Sequence, residues 1–147
     1  MRYVVLLLVL AGCAPRLSPP YRDYEVRRSE SAGITMELRE AALEAGWELS
    51  AATDSSIVTT EARRVESGLL SDTDAFLTLV PLDGGFVRVY VRAEKRGVLG
   101  GRSKVYALEP GLQASVLGSL TDALEARGLV PLGTPRTRDE DATDEAP

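Results

Sequence analysis

Apolar and polar residues alternate most cleanly between Phe86 and Lys95. Val87, Val89, Val91 and Ala93 fall on one side, and Phe86, Arg88, Tyr90 and Arg92 on the other. A period of two puts successive side chains on opposite faces of a strand, so this segment is the clearest strand in the chain. Residues Ala75 to Val80 predict a second strand, and Leu82-Asp83-Gly84-Gly85 between the two has the turn chemistry of a β-hairpin. Trp47, Leu49 and Ala51 also alternate. Beyond Thr53-Asp54-Ser55 comes the β-branched run Ile57, Val58, Thr59 and Thr60, which predicts another hairpin. Glu66 to Asp74 is polar and reads as a loop, Arg96 to Ser103 as a Gly-rich loop, and Lys104 to Leu108 as a short fifth strand.

The period changes in two places. Ile34, Leu38, Ala41, Ala42 and Ala45 form one stripe of a helix over about Thr35 to Ala45, with Gly46 placed to end it. Pro110 suits a first helical turn. Leu112, Val116, Leu117, Leu120, Ala123 and Leu124 then make a second stripe that ends at Gly128. Asp23 to Ser29 alternates weakly and predicts an edge strand or an arm. From Gly133 the chain turns Pro-, Asp- and Glu-rich, the composition of a disordered acidic tail. Each helix has one apolar stripe and the sheet one valine face. The predicted class is therefore α+β, an antiparallel sheet of four to five strands with two helices packed on one face.

The amino terminus follows a different logic. Met1-Arg2 precedes an unbroken apolar run from Tyr3 to Leu10. Eight residues span only about 12 Å as a helix, against roughly 30 Å for a bilayer core, so the run reads as the hydrophobic region of a signal peptide. Leu10-Ala11-Gly12-Cys13 follows at once, and Cys13 is the sole cysteine. This tetrapeptide resembles the bacterial lipobox, at which a signal peptidase cuts before a cysteine carrying diacylglycerol. The resemblance implies lipidation of Cys13 and a protein anchored in the cell envelope. Ala14 rather than Asp after the cysteine points to the periplasmic side of an outer membrane. Pro15, Pro19 and Pro20 suit an extended spacer. The expected division is 1–12 leader, 13–29 lipidated Cys with spacer or arm, 30–132 domain and 133–147 tail. Lipobox, spacer and a helix-strands-helix module over about Thr35 to Leu129 together resemble the helix-grip domains in the C subunit lipoprotein of the outer-membrane β-barrel assembly machine. The resemblance is architectural and transfers no functional residue.

Composition narrows the chemistry. The chain has no histidine and one cysteine, which excludes a disulfide within the chain, a Cys/His zinc site, and Ser-His-Asp or Cys-His catalysis. Paired carboxylates remain, but no Asp or Glu sits among apolar residues at a strand end, so no enzyme is expected and no cofactor or metal. Residues 1–12 contain Arg2 as their only charged side chain, so without them the net charge moves from −5 to −6. An acidic surface argues against nucleic acid as a partner. Charge is uneven, however. Arg88, Arg92, Lys95, Arg96, Arg102 and Lys104 face only Glu94 between residues 85 and 104. That segment suits anionic headgroups or acidic partner surfaces, or is a solvated strand face balanced by acids elsewhere. Gly97 to Lys104 lacks the Gly-Lys-Ser/Thr ending of a phosphate-binding loop.

With both helices on one face, the other would show Phe86, Arg88, Tyr90 and Arg92, with Phe76, Thr78 and Val80 beside them. Aromatics next to arginines suit recognition of a peptide, lipid or glycan, unless the amino-terminal arm covers them. The candidate binding residues are Phe86, Arg88, Tyr90, Arg92, Arg96 and Arg102. The expected function is a noncatalytic envelope module that binds other envelope proteins. A carrier or sensor of a small apolar or lipid ligand is the alternative, distinguished by a cavity between helices and sheet.

Overall fold

The computed structural model describes residues 19–27, 33–51, 56–105 and 108–136. The expected leader, Cys13 and residues 137–147 of the expected acidic tail lie outside them. Among the described residues the chain runs β1 (Tyr21–Val26), α1 (Ile34–Glu44), β2 (Val58–Thr59), β3 (Arg63–Ser67), β4 (Ser71–Leu82), β5 (Phe86–Gly97), β6 (Arg102–Val105), α2 (Pro110–Glu125) and β7 (Leu129–Arg136). All strand pairs are antiparallel. The class is α+β as expected, with seven strands instead of four or five.

The frame is the β4–β5 hairpin. Its strands pair without interruption from Leu82–Phe86 to Ser71–Gly97. At 12 residues each they reach about 38 Å. Gly84 (φ 82°) and Gly85 (φ 81°) make the turn, in a conformation that costs a Cβ-bearing residue about 1–2 kcal/mol. The near half of this ribbon, beside the glycine turn, lies in the order β2-β4-β5-β1-β7. The far half is flanked by β3 against β4 and β6 against β5.

The helices bury the valine face. Ala75, Leu77, Leu79, Val87, Val89, Val91 and Ala93 join Leu38, Ala41 and Ala42 of α1 and Val116, Leu117, Leu120, Ala123 and Leu124 of α2 in one core with Tyr24, Trp47 and Leu129. Both stripes read from the sequence are therefore in contact with the sheet. The end of α1 shows why Gly46 is there. Gly46 N–H donates to Leu43 O and Trp47 N–H to Ala42 O, a Schellman pair that needs the positive φ of 78° at Gly46. Arg63, facing the same side from β3, donates to Ala45 O at 3.1 Å and lies 4.1 Å from the Trp47 ring. Arg127 ties the two helices together by donating to Glu44 Oε2 at 2.6 Å.

Four expectations need correction. Of the stretch Asp23 to Ser29, the part up to Val26 is neither an edge strand nor an arm, because β1 lies between β5 and β7, and residues 28 and 29 lie outside the described ones. Hence part of the stretch assigned to the spacer, Tyr21–Val26, belongs to the sheet. Glu66 to Asp74 is not a loop. It holds the end of β3, a turn and the start of β4, and reads as polar because this part of the ribbon extends past the helices. Of the stretch Trp47 to Ala52, the described residues 47–51 form no strand. Among the described residues the expected hairpin with the segment after Ser56 is reduced to the single antiparallel bridge Leu49–Thr60, closed by Ser50 N–H to Thr59 O and Glu61 N–H to Glu48 O, both at 2.8 Å. Finally, residues 133–136, expected to open the tail, belong to β7, which continues to Arg136 beside β1.

Candidate binding face of the sheet

Alternation places the remaining side chains of the ribbon on the face away from the helices. Cross-strand register brings Phe76 beside Arg92, Thr78 beside Tyr90, Val80 beside Arg88 and Leu82 beside Phe86. The grouping of Phe86, Arg88, Tyr90 and Arg92 with Phe76, Thr78 and Val80 is thus observed. Arg96 stands opposite Arg102 on the same face, further along the ribbon. The six candidate residues form a line down the ribbon rather than a single cluster.

β1 adds what the sequence reading missed. Asp23 lies opposite Arg88, and Tyr21 opposite Tyr90. Arg88 donates to both Asp23 oxygens, Nε to Oδ1 at 2.7 Å and Nη2 to Oδ2 at 2.8 Å. Its guanidinium also lies 4.1 Å from the centroid of the Tyr21 ring. The Tyr21 and Tyr90 rings meet at 6.0 Å, tilted by 55°. Hydrogen bonding to Asp23 holds the Arg88 guanidinium more firmly protonated than a free arginine, and burial opposes this only in part. Arg88 is therefore a framework residue of this face.

The other arginines are also engaged. Arg92 donates to Thr78 Oγ1 at 2.9 Å while staying exposed. Arg96 donates to Asp74 Oδ2 at 2.8 Å, and Arg64 pairs with Asp72 at 3.1 Å and approaches Asp74 at 3.9 Å. Asp74 is buried, with a side chain only 8% exposed, and its two arginines supply the compensation a buried carboxylate needs. Within the basic run of the sequence, Arg88 and Arg96 are thus met by Asp23 and Asp74 from other strands, while Arg92 bonds only to a neutral hydroxyl. Lys95, Arg102 and Lys104 are exposed and form no ion pair among the described residues. What the near face offers a ligand is half-buried Phe76, Val80 and Tyr90, exposed Phe86, and the guanidinium of Arg92.

A separate, open groove of about 490 Å³ lies beside the amino-terminal half of α2. Pro110, Ala114, Leu117, Gly118 and Thr121 line it with Arg22 of β1. Arg22 donates to Gly133 O at 3.2 Å. The buried Tyr24 hydroxyl meets Thr121 Oγ1 at 2.9 Å, and burial raises its pKa above the ordinary phenol value. The groove is mainly apolar and shallow. Among the described residues, no three Asp, Glu, His or Cys side chains approach closely enough to hold a metal ion. No described helix is long and apolar enough to cross a membrane. The sequence matches no protein-family model, and no curated protein matches it.

Proposed function

We propose that this chain is a noncatalytic envelope lipoprotein, anchored through acylated Cys13, whose sheet face binds another envelope protein as an accessory to assembly. The observation that carries the anchor is the agreement of Leu10-Ala11-Gly12-Cys13 with the lipobox, at the one position in the chain that has a thiol. Outer-membrane placement, on the periplasmic side, follows from Ala14. The binding role is supported by the aromatic and aliphatic strip Phe76, Val80, Phe86 and Tyr90. It lies on a rigid hairpin beside Arg92, the mixture of apolar area and arginine that protein interfaces favour.

A carrier of a small amphiphile is the second reading. It rests on the groove beside α2, where Arg22 stands next to apolar Ala114 and Leu117. Photocrosslinking from position 90 or 92 in the native host tests the first reading. Recovery of a defined envelope protein is the expected result, together with a diacylglyceryl mass on residue 13. No protein adduct, with lipid copurifying at the groove, would replace the first reading with the second.

A further inference from the structure

We propose that the far end of the β4–β5 ribbon is a wedge that docks on an anionic bilayer surface, beside the anchor. The inference rests on acylation of Cys13 and adds a second membrane contact made by the folded domain itself.

Two turns meet at this end. The β3–β4 turn carries Leu69 and Leu70, which are 95% and 76% exposed, and the β5–β6 turn carries Val98 and Leu99, at 72% and 101%. Val98 N–H donates to Leu70 O at 3.2 Å, so the two turns are joined into one tip. Each is closed by its own backbone bond, from Gly68 N–H to Ser71 O at 2.9 Å and from Gly97 N–H to Gly101 O at 2.8 Å. Four aliphatic side chains between 72% and 101% exposed, gathered at one tip, are costly in water. The helices do not reach them, since the core ends near Thr73 and Ala93.

Charge at the tip selects the occupant. The nearby acids Asp72 and Asp74 are paired with Arg64 and Arg96, whereas Glu66, which accepts from the neutral Thr73 hydroxyl, and Glu94 keep their charge, so at the tip three cations without an ion pair among the described residues outnumber two such acids. Lys95, Arg102 and Lys104 remain exposed just behind the aliphatic residues, with Glu94 beside Lys104. Apolar groups at the apex with cations one step behind match the layering of a bilayer with anionic headgroups. A protein interface would be expected to offer aromatic anchors on a flat or concave patch, and the tip has neither.

The anchor has the right reach. β1 runs antiparallel to β5, so its first residue faces the tip, and Val91 N–H donates to Pro20 O. From Val91 to Val98 is seven residues of ribbon, about 23 Å. From Cys13 to Pro20 is also seven residues, which can reach about 23–25 Å. The chain length therefore allows acyl chains and tip to lie in one plane, with the ribbon upright and the glycine turn furthest from the lipid.

The test uses the full chain purified from a bacterial host and reconstituted in phosphatidylethanolamine–phosphatidylglycerol vesicles, with residue 13 checked by mass spectrometry. A fluorophore is attached at Leu99→Cys or, at the opposite end of the ribbon, at Asp83→Cys. Lipid spin-labelled near its headgroup should quench the probe at 99 several-fold more than the probe at 83. Adding Leu69→Ser, Leu70→Ser and Val98→Ser should erase the difference without releasing the protein from the vesicles. Lys95→Glu or Arg102→Glu should each lower tip insertion, with removal of a cation alone worth about fivefold. Equal quenching at the two sites in acylated protein overturns the wedge, as does a water-exposed tip that crosslinks to a protein instead. An unacylated residue 13 would sink the anchor alone. Co-sedimentation of that chain with the same vesicles then decides the wedge: retention lost in the serine variant upholds it, and no retention overturns it.

Discussion

Breaking the Asp23–Arg88 pair should cost the fold a coupling energy of about 1–2 kcal/mol. An exposed ion pair contributes at most about 1 kcal/mol, whereas a deeply buried charge left alone costs about 3–5 kcal/mol. This pair lies between those limits, because its side chains are 30% and 27% exposed and its two bonds are short and bidentate. Arg88→Ala should cost more than Asp23→Ala. It also removes the guanidinium from the Tyr21 ring, a contact of about 0.5–1 kcal/mol. A double-mutant cycle separates that loss from the pair itself. Trp47 is the sole tryptophan and is buried, so urea unfolding can be followed by its fluorescence in all four proteins. Salt should weaken the coupling only in part, since screening acts mainly on solvated charges. A coupling below about 0.3 kcal/mol would refute the reasoning. β1 would then be held by its backbone bonds and core side chains, and Arg88 would be a free cation.

Three further outcomes follow from contacts in the core and at its edge. Tyr24→Phe should cost about 1 kcal/mol at neutral pH, through loss of the bond to Thr121. Burial raises the folded-state pKa of Tyr24, so its contribution is complete below about pH 10 and is lost as pH rises through the folded value. Unfolding curves from pH 8 to 11 should therefore fall less steeply in the Phe variant. Arg63→Ala should cost about 1–2 kcal/mol in urea unfolding by uncapping α1 and exposing Trp47. Arg63→Lys should recover only part of this, because an ammonium cannot both stack and reach Ala45 O as a planar guanidinium does. Leu120→Ala in the closed core should cost about 3 kcal/mol, while Leu99→Ala at the tip should stay within about 0.5 kcal/mol by calorimetry.

The parts of this fold that were legible in the sequence are those in which one short window carries the whole signal. The β4–β5 turn needs only Asp83-Gly84-Gly85, and α1 needs its stripe and Gly46. The parts that were not depend on residues far apart in the chain. β1 reads as an arm because Arg22, Asp23 and Glu25 give it a polar surface. Asp23 becomes intelligible only when register sets it against Arg88, 65 residues later. The β3–β4 turn reads as a loop for a related reason. Here the buried positions of the ribbon are the polar Thr73 and Asp74 and the residues beyond them are not buried, so the period-two signal fades although the backbone pairing continues to Ser71–Gly97. The basic segment misleads in the same manner. Its excess of cations is smaller in space than in sequence, because Asp23 and Asp74 arrive from neighbouring strands to meet Arg88 and Arg96. Topology pairs Arg88 and Arg96 with acids and leaves Arg92, Lys95, Arg102 and Lys104, of which the last three stand next to the four most exposed aliphatic residues among the described positions. Composition alone cannot make that coincidence visible. It takes the joining of two turns, nearly 30 residues apart, by the bond from Val98 to Leu70.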